Sequence, residues 1–220
     1  MNSTADADEY LDRDLGSGLD LNLEFDIKRS IILAEYIKCW GMPEARHIMP
    51  TNNSLNKVET VEVYVFPGED MDQVSRVATI GLSSCKFSNG KRCNSELLLV
   101  LPYDIIDDEV DAISHYIFDI STHIINSLER NLSAEEILPE HAIEQVPEGW
   151  PRALLFDEPR GEPNELNNFY IGMQHVKLSW VVPIFDSEYA LIKNSGIESF
   201  DAAIHDAEVS LVEVRRDACD

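Results

Sequence analysis

Three residues have side chains and a spacing that could bind a metal ion: His115, Asp119 and His123. Imidazole and carboxylate groups are good ligands for zinc or iron, and a spacing of four residues places all three on one face of a helix. The two histidines would, however, stand about 12 Å apart along the helix axis, which is too far to share one metal. The apolar stripe of the same helix lies on the opposite side. The sequence therefore predicts that this face points to solvent and holds no metal.

Ser83, Ser84 and Cys85 follow the end of a predicted strand and could in principle act as nucleophiles. A nucleophilic hydroxyl or thiol needs a neighbouring base or cation, but no nearby His accompanies the serines and only Lys86 stands beside the cysteine. The motifs of dinucleotide and phosphate sites, zinc proteases and α/β-hydrolases are absent from the sequence. We therefore predict no catalytic residue, no metal ligand and no cofactor.

The elements in the first half of the chain are predicted as one helix followed by three strands. Residues 27–40 form a helix, since Ile27, Ile31 and Ala34 fall on one apolar face. Alternating or continuous apolar residues predict strands at 57–66, 73–82 and 96–101. Because the connections between them are short, these strands are expected to form an antiparallel meander.

The second half opens with the clearest helix, residues 107–130, and ends with two shorter helices at 187–196 and 197–209. Between them, Ser133 and Glu136 match a capping box of about one turn. Strands are predicted at 141–146, 152–157 and 176–185. Pro183 makes the last of these an edge strand or marks a strand terminus. The order of elements predicts an α+β fold: a mixed, mostly antiparallel sheet with helices packed against it.

Charge limits the kinds of partner. Acidic residues number 41 and basic residues 17, so the formal net charge is −24. Direct binding of nucleic acid or of an anionic membrane is not expected, because both need clustered Lys and Arg. Three explanations of the charge stay open: solubility, a salty habitat, and electrostatic steering of a basic partner. No secretory signal and no membrane span is recognisable, so a cytoplasmic protein is expected.

The distribution of acids suggests three regions: a flexible acidic arm at 1–25, a domain at 26–209 and an acidic tail at 210–220. Of the four cysteines, Cys85 and Cys93 flank a short loop and could form a disulfide in an oxidising compartment. The alternative is that both remain reduced in a reducing cytosol.

Two stretches of the chain resemble the suppressor-of-fused domain family. The first is the strand end Ala78–Ser83 followed by the strand that begins near Glu96 and closes at Pro102. The second is the apolar strand 176–184, followed by a Glu in the next helix turn and a Gly eight residues later. The segment before Trp150 and the loop after Asp157 depart from the family pattern. The positions that carry or border the pattern are Thr79, Gly81, Ser83, Arg92, Glu96, Leu97, Trp150, Pro183, Glu188 and Gly196.

The resemblance implies a protein-binding domain that is not an enzyme. Between a structural role for these positions and a contact to a partner, we expect the structural role. Stand-alone bacterial members are similar to immunity proteins that neutralise a toxin, and many such toxins are basic. A steric and electrostatic occlusion of a basic toxin is therefore the first hypothesis. A regulatory binding module without a toxin and an enzyme of another type stay as alternatives. The sequence does not indicate the oligomeric state.

Overall fold

The computed structural model of the chain describes residues 21–49, 60–68 and 74–219, with all of their side chains except those of residues 21–22 and 106–108. Most of the predicted acidic arm lies outside these residues. In the described part there are four α-helices: α1 (Leu21–Trp40), α2 (Tyr103–His123), α3 (Asp186–Ser195) and α4 (Ile197–Asp206). There are eight strands: β1 (Ala45–Met49), β2 (Val61–Phe66), β3 (Val74–Ile80), β4 (Ser95–Pro102), β5 (Glu136–Leu138), β6 (Ala153–Asp157), β7 (Asn168–Ile171) and β8 (Gln174–Ile184).

The eight strands form one sheet in the order β1-β2-β3-β4-β8-β6-β5, and β7 also pairs with β8. All neighbouring pairs are antiparallel except β4 and β8, which run parallel with Glu96 opposite Leu178. The first half of β8 pairs with β7 and the second half with β6. The mixed, mostly antiparallel sheet and the meander of β2, β3 and β4 are therefore confirmed.

Helices cover both faces of the sheet, which is why the central strands are apolar on both sides. Along β2, Val61, Val63 and Val65 pack in the core that contains α2, whereas Tyr64 and Phe66 pack in the core that contains α1, α3 and α4. Among the described helices, none is both long and apolar enough to cross a membrane.

Helix α1 packs on the sheet with a face that the sequence did not indicate. Its fully or nearly buried residues are Lys28, Ile32, Tyr36 and Trp40. Ile27 and Ile31, which predicted the helix, lie on the opposite side with 50% and 38% of their surface exposed. The predicted end of the helix at Trp40 is confirmed, but the helix begins at least six residues earlier than predicted. Because the helix is apolar on two faces, periodicity could not show which face is buried.

Helix α2 confirms the predicted apolar stripe, since Ile113, Ile117 and Ile120 are buried against the sheet. The helix begins four residues earlier than predicted. It continues past His123 as a π-helical turn, Ile124–Leu128, and ends where Glu129 takes φ 50°.

Three predictions about strands were wrong or incomplete. Residues 141–146 form no strand, and the short strand in this region is β5 instead. The capping box predicted at Ser133 and Glu136 is formed in part, because the Glu136 carboxylate accepts the Ser133 N–H at 3.1 Å, but no helix follows it. β8 pairs on both sides, so the edge-strand alternative for it is wrong. Pro183 stands next to the last residue of the strand, which agrees with the strand-terminus alternative. β1 and β7 were not predicted because they are short and carry mixed polar and apolar residues.

Candidate functional site

The residues singled out at the end of β3 converge on one buried carboxylate, that of Glu96 at the start of β4. Glu96 is completely buried. Its oxygens accept the hydroxyls of Thr79 at 2.7 Å and Ser83 at 2.6 Å. They also accept the backbone N–H groups of Gly81 at 3.0 Å, Leu82 at 3.2 Å and Ser83 at 3.0 Å. Five donors from residues 79–83 therefore saturate the acceptor capacity of a single carboxylate.

Local sequence explains why this turn forms. Gly81 has φ 118° and ψ −19°, a backbone conformation that side-chain-bearing residues rarely adopt. A Cβ at this position would lie 2.3 Å from the carbonyl oxygen of Thr60. The 3₁₀ turn Leu82–Ser84 then orients successive N–H groups into one concavity, which is a favourable environment for an anion. Thr79 completes the link to β4, because its hydroxyl accepts the Leu97 N–H at 2.8 Å.

Burial raises the pKa of Glu96, and the hydrogen bonds from Ser83, Thr79 and Gly81 act in the opposite direction. In the described part of the chain, no Lys or Arg lies within ion-pair distance of this carboxylate. Other buried glutamates differ in this respect. Glu62 binds Arg46, and Glu162 accepts Arg76 Nε at 2.7 Å. Among the described residues, Glu96 thus has neutral donors alone.

A second buried carboxylate, Glu188 in the first turn of α3, fixes the end of the chain. It accepts the Phe185 N–H at 2.9 Å, the Arg216 Nη2 group at 2.8 Å and the Cys219 N–H at 3.0 Å. Both side chains of the Glu188–Arg216 pair are almost fully buried. Val214 enters the core beside α2. The described part of the predicted tail, residues 210–219, is therefore packed against the domain.

The remaining family-pattern positions lie apart from Glu96. Arg92 forms an ion pair with Glu24 of α1 at 3.2 Å. Trp150 is buried, with its ring edge-on to that of Tyr116 at 5.6 Å. Gly196 takes φ 86° at the junction of α3 and α4.

Sequence reasoning missed the partners that close these contacts. Arg216 is 28 residues from Glu188, and Glu162 lies in a loop 86 residues from Arg76. Arg215 and Arg216 are the only Lys or Arg residues in the acidic segment 198–220, and this was a signal for the Arg216–Glu188 contact. The loop around Glu162 gave none, although its carboxylate also accepts Trp40 Nε1 at 2.6 Å.

The prediction that the face of α2 carrying His115, Asp119 and His123 points to solvent is only partly correct. His115 is exposed, and its Nδ1 contacts the Asp111 carbonyl at 2.7 Å. Asp119 and His123 are half-buried and line a groove of about 310 Å³ together with Glu144. Burial lowers the pKa of His123, whereas burial and Glu144 raise that of Asp119. The described residues contain no group of three or more His, Cys, Asp or Glu that could hold a metal ion.

Two of the three nucleophile candidates, Ser83 and Cys85, are buried in the fold, and the N–H of the third, Ser84, donates to the Gly81 carbonyl at 3.0 Å. Ser83 binds Glu96. Cys85 and Cys93 are buried on adjoining segments, and the Cys93 N–H donates to the Cys85 carbonyl at 2.9 Å. Burial raises the pKa of the Cys93 thiol to about 12. A thiol with such a pKa is a poor nucleophile at neutral pH.

Two features of the surface stand out. β1 pairs only with β2 among the described strands, and Ile48 on it is 55% exposed. The β7–β8 hairpin exposes Tyr170 and Met173 at its tip. The hairpin is anchored to residues 81–84, which surround the Glu96 carboxylate and are called the Glu96 turn below, because Gln174 Nε2 donates to the Ser83 carbonyl at 2.9 Å.

The family model for suppressor of fused protein (SUFU) matches residues 57–217 of this chain. The chain therefore belongs to the SUFU family, and the match includes the Glu96 turn, Glu188 and Arg216. No curated protein matches the sequence significantly.

Solved structures show the same fold at low sequence identity. A SUFU homolog from Neisseria gonorrhoeae has a TM-score of 0.68 at 12% identity, with 88% of this chain and 97% of that chain covered. The structure of a Sufu–Fu complex gives a TM-score of 0.61 at 14% identity, with 90% and 91% covered. Drosophila Suppressor of Fused gives a TM-score of 0.57 at 11% identity, and 89% of this chain matches 50% of that longer protein.

Proposed function

We propose that this chain is a non-enzymatic protein-binding domain whose partner is a basic protein, and that it acts as an immunity protein by covering the surface of a basic toxin. The observation that carries this proposal is the large excess of acidic over basic residues, together with the pairing of most arginines inside the chain. Acidic residues exceed basic ones by 24, and most arginines are already held by carboxylates of the same chain. These paired arginines are Arg29, Arg46, Arg76, Arg92, Arg130, Arg160, Arg215 and Arg216.

Because acidic residues exceed basic ones by 24, most acidic side chains have no cation of the same chain to balance them. Such a surface accelerates encounter with a basic protein and disfavours acidic ones. If the target is a basic nuclease, the same contact would compete with its nucleic acid. The known complex of Sufu with Fu supports the more general statement that a domain of this fold binds a protein.

The residues of the Glu96 turn are proposed to have a structural role. All five donors around the carboxylate come from the chain itself. A partner could not bind this carboxylate without breaking those hydrogen bonds. Contacts to a partner are therefore assigned to exposed regions, such as β1, which pairs only with β2 among the described strands, and the exposed acidic residues.

Affinity capture tests the proposal directly. The purified chain is immobilised, exposed to lysate of its native cells at low and at high salt, and the retained proteins are identified by mass spectrometry. We expect one basic protein that is retained at low salt and released at high salt, since exposed charges are screened. The overturning result is retention of no protein, or of a partner whose binding does not respond to salt. A retained basic regulator without toxic activity would support binding and overturn the immunity role.

A further inference from the structure

A short hairpin, residues 85–93, concentrates basic side chains in an otherwise acidic chain. Residues 73–95 contain no Asp or Glu, whereas Lys86, Lys91 and Arg92 all fall within seven positions. An antiparallel bridge pairs Lys86 with Arg92 across the hairpin, so these two side chains project from the same face. We call residues 85–93 the basic hairpin.

Two of these cations have no carboxylate partner among the described side chains. Lys86 and Lys91 are exposed. In the part of the chain whose side chains are described, neither ammonium group lies within ion-pair distance of an Asp or Glu. Most arginines of the chain, in contrast, are paired with its own acids. The two lysines therefore remain available to a carboxylate that the described residues do not supply.

Two described carboxylates contact the basic hairpin, and both are engaged. Glu24, in the first turn of α1, binds two cations at once, Lys28 at 2.9 Å and Arg92 at 3.2 Å. Lys28 lowers the pKa of Glu24 most, and Arg92 and Lys86 lower it further. Glu129 accepts a hydroxyl group at the tip of the hairpin. The positive charge of the basic hairpin is thus balanced only in part.

The chain that precedes α1 joins the domain beside the basic hairpin. The contact between Glu24 and Arg92 places the first turn of α1 against the hairpin. Residues 1–20 lead into this turn and carry six acids against the single base Arg13. The acids are Asp6, Asp8, Glu9, Asp12, Asp14 and Asp20. Since three extended residues already span about 10 Å, acids near the end of this segment can reach the hairpin.

We propose that residues 1–20 dock on the basic hairpin of the same chain, with their carboxylates against Lys86 and Lys91. Each exposed ion pair contributes little alone, but attachment to α1 holds the segment at an effective concentration on the order of 1 mM. The docked segment covers the basic hairpin and keeps acidic groups of other molecules away from it, so the contact is autoinhibitory. The inference goes beyond the proposed function and does not depend on it, because it involves no partner.

Charge and attachment favour this occupant over others. A nucleic acid or a second copy would have to approach a chain of net charge −24, and two lysines are few for binding phosphates. Residues 69–73 are also acidic, but they precede β3, whereas the basic hairpin follows it. The seven residues of β3 separate the two by about 23 Å. Residues 50–59 contain one Lys and one Glu and therefore have no excess of acid.

Paramagnetic NMR tests the docking in the full chain. A nitroxide is attached to Ala7→Cys in a Cys39→Ser background, because Cys39 is partly exposed and the other three cysteines are buried. Broadening of the backbone amide signals then reports which residues the label approaches. The same measurement is made on the hairpin variant Lys86→Gln/Lys91→Gln.

Two lysines elsewhere provide a control with the same change of charge. Lys38 on α1 and Lys193 on α3 are both exposed. Lys38 lies fourteen residues after Glu24, which is about 21 Å along the helix axis. The control variant is Lys38→Gln/Lys193→Gln.

We expect broadening in the parent chain to be concentrated on the basic hairpin. It should fall about threefold or more in Lys86→Gln/Lys91→Gln, because two ion pairs are lost, and it should stay at the parent level in the control variant. High salt should remove it as well, since exposed charges are screened. Broadening spread evenly over the domain, or unchanged in Lys86→Gln/Lys91→Gln, would overturn the proposal.

Charge reversal tests the pairing from both sides. Lys86→Glu/Lys91→Glu should abolish the local broadening, and adding Asp12→Lys/Asp14→Lys to the same chain should restore it. Asp12→Lys/Asp14→Lys alone should also abolish it, and this variant leaves residues 21–219 unchanged. Failure of the combined variant to regain the broadening, or full broadening in Asp12→Lys/Asp14→Lys alone, would overturn the proposal.

A mixing experiment distinguishes docking within one chain from docking on a second copy. Spin-labelled chain without isotopes is mixed with isotope-labelled chain without a spin label. We expect no broadening in the mixture, and broadening there would overturn the proposal. None of these measurements involves the captured partner, so failure of this inference leaves the proposed function to be decided by affinity capture.

Discussion

The hydroxyl of Thr79, at the end of β3, donates to the buried carboxylate of Glu96, at the start of β4, over 2.7 Å. The same hydroxyl accepts the N–H of Leu97. Two neighbouring strands are thereby joined through side chains at the point where their backbone pairing ends. Because the Glu96 carboxylate has only neutral donors among the described residues, the geometry of the turn determines whether the charge is tolerated.

Substitution of Glu96 by Gln should destabilise the fold strongly. The amide group would direct its own hydrogens at backbone and hydroxyl donors, and buried donors left without acceptors cost about 2 kcal/mol in free energy of unfolding. Urea unfolding measures the change. Glu44→Gln, which alters an exposed glutamate, is the control and should stay within about 0.5 kcal/mol of the parent chain. Similar effects of the two substitutions would contradict the role assigned to the turn.

Gly81→Ala should be far more costly than Gly90→Ala. Both glycines have positive φ, 118° and 81°, but a Cβ at 81 would clash with the Thr60 carbonyl, whereas nothing lies within 4 Å of one at 90. We expect about 3 kcal/mol or more for Gly81→Ala, from strain and overpacking together. Gly90→Ala should cost about 1 kcal/mol. Thermal and urea unfolding measure the loss of stability in the two variants. Equal losses would contradict the close approach of residue 81 to the Thr60 carbonyl.

Arg216 and Arg215 are adjacent but differ in burial, which gives a matched pair. Arg216→Met leaves the Glu188 carboxylate buried without its cation and should lower the free energy of unfolding by about 3 kcal/mol. Arg215→Met removes a half-exposed ion pair with Glu109 and should cost less than about 1 kcal/mol. Limited proteolysis should release residues 210–219 more readily in the first variant only. A stable, protease-resistant Arg216→Met protein would contradict the packing of the tail.

His123 should titrate below the ordinary imidazole value of 6.5, because half-burial beside the π-helical turn disfavours its charged form. A lowered pKa in the folded state means that stability from this group is present above pH 6.5 and is lost as the pH falls through the folded pKa. NMR titration measures the pKa directly. As the pH is lowered below 6.5, the free energy of unfolding should fall less for His123→Gln than for the parent chain. His141→Gln is the control for loss of an imidazole elsewhere and should follow the parent chain. A His123 pKa at or above 6.5 would contradict this environment.

Strong periodicity made much of this fold predictable. The stripe of α2 and the apolar runs of β2, β3 and β4 gave the meander and the long helix, because each element is buried along a regular pattern. Short elements such as β1 and β7 carry too few residues for a pattern. The parallel contact of β4 with β8 joins segments about 80 residues apart, and nothing local encodes it.

The site was partly predictable for a related reason. Thr79, Gly81, Ser83 and Glu96 were selected together because they follow a family pattern, and the structure brings all four into one hydrogen-bonded group. Arg216 and Glu162 were missed because their partners are distant in sequence. The exposed face of α1 was mistaken for the buried one, since apolar residues alone do not say whether the sheet or a partner covers them.

The association rate of the captured partner, measured across ionic strength, tests the central claim most directly. We predict that the rate falls steeply as salt is added, because an acidic domain steers a basic protein. An association rate that does not change with salt would contradict the account of this chain as an acidic domain that binds a basic protein.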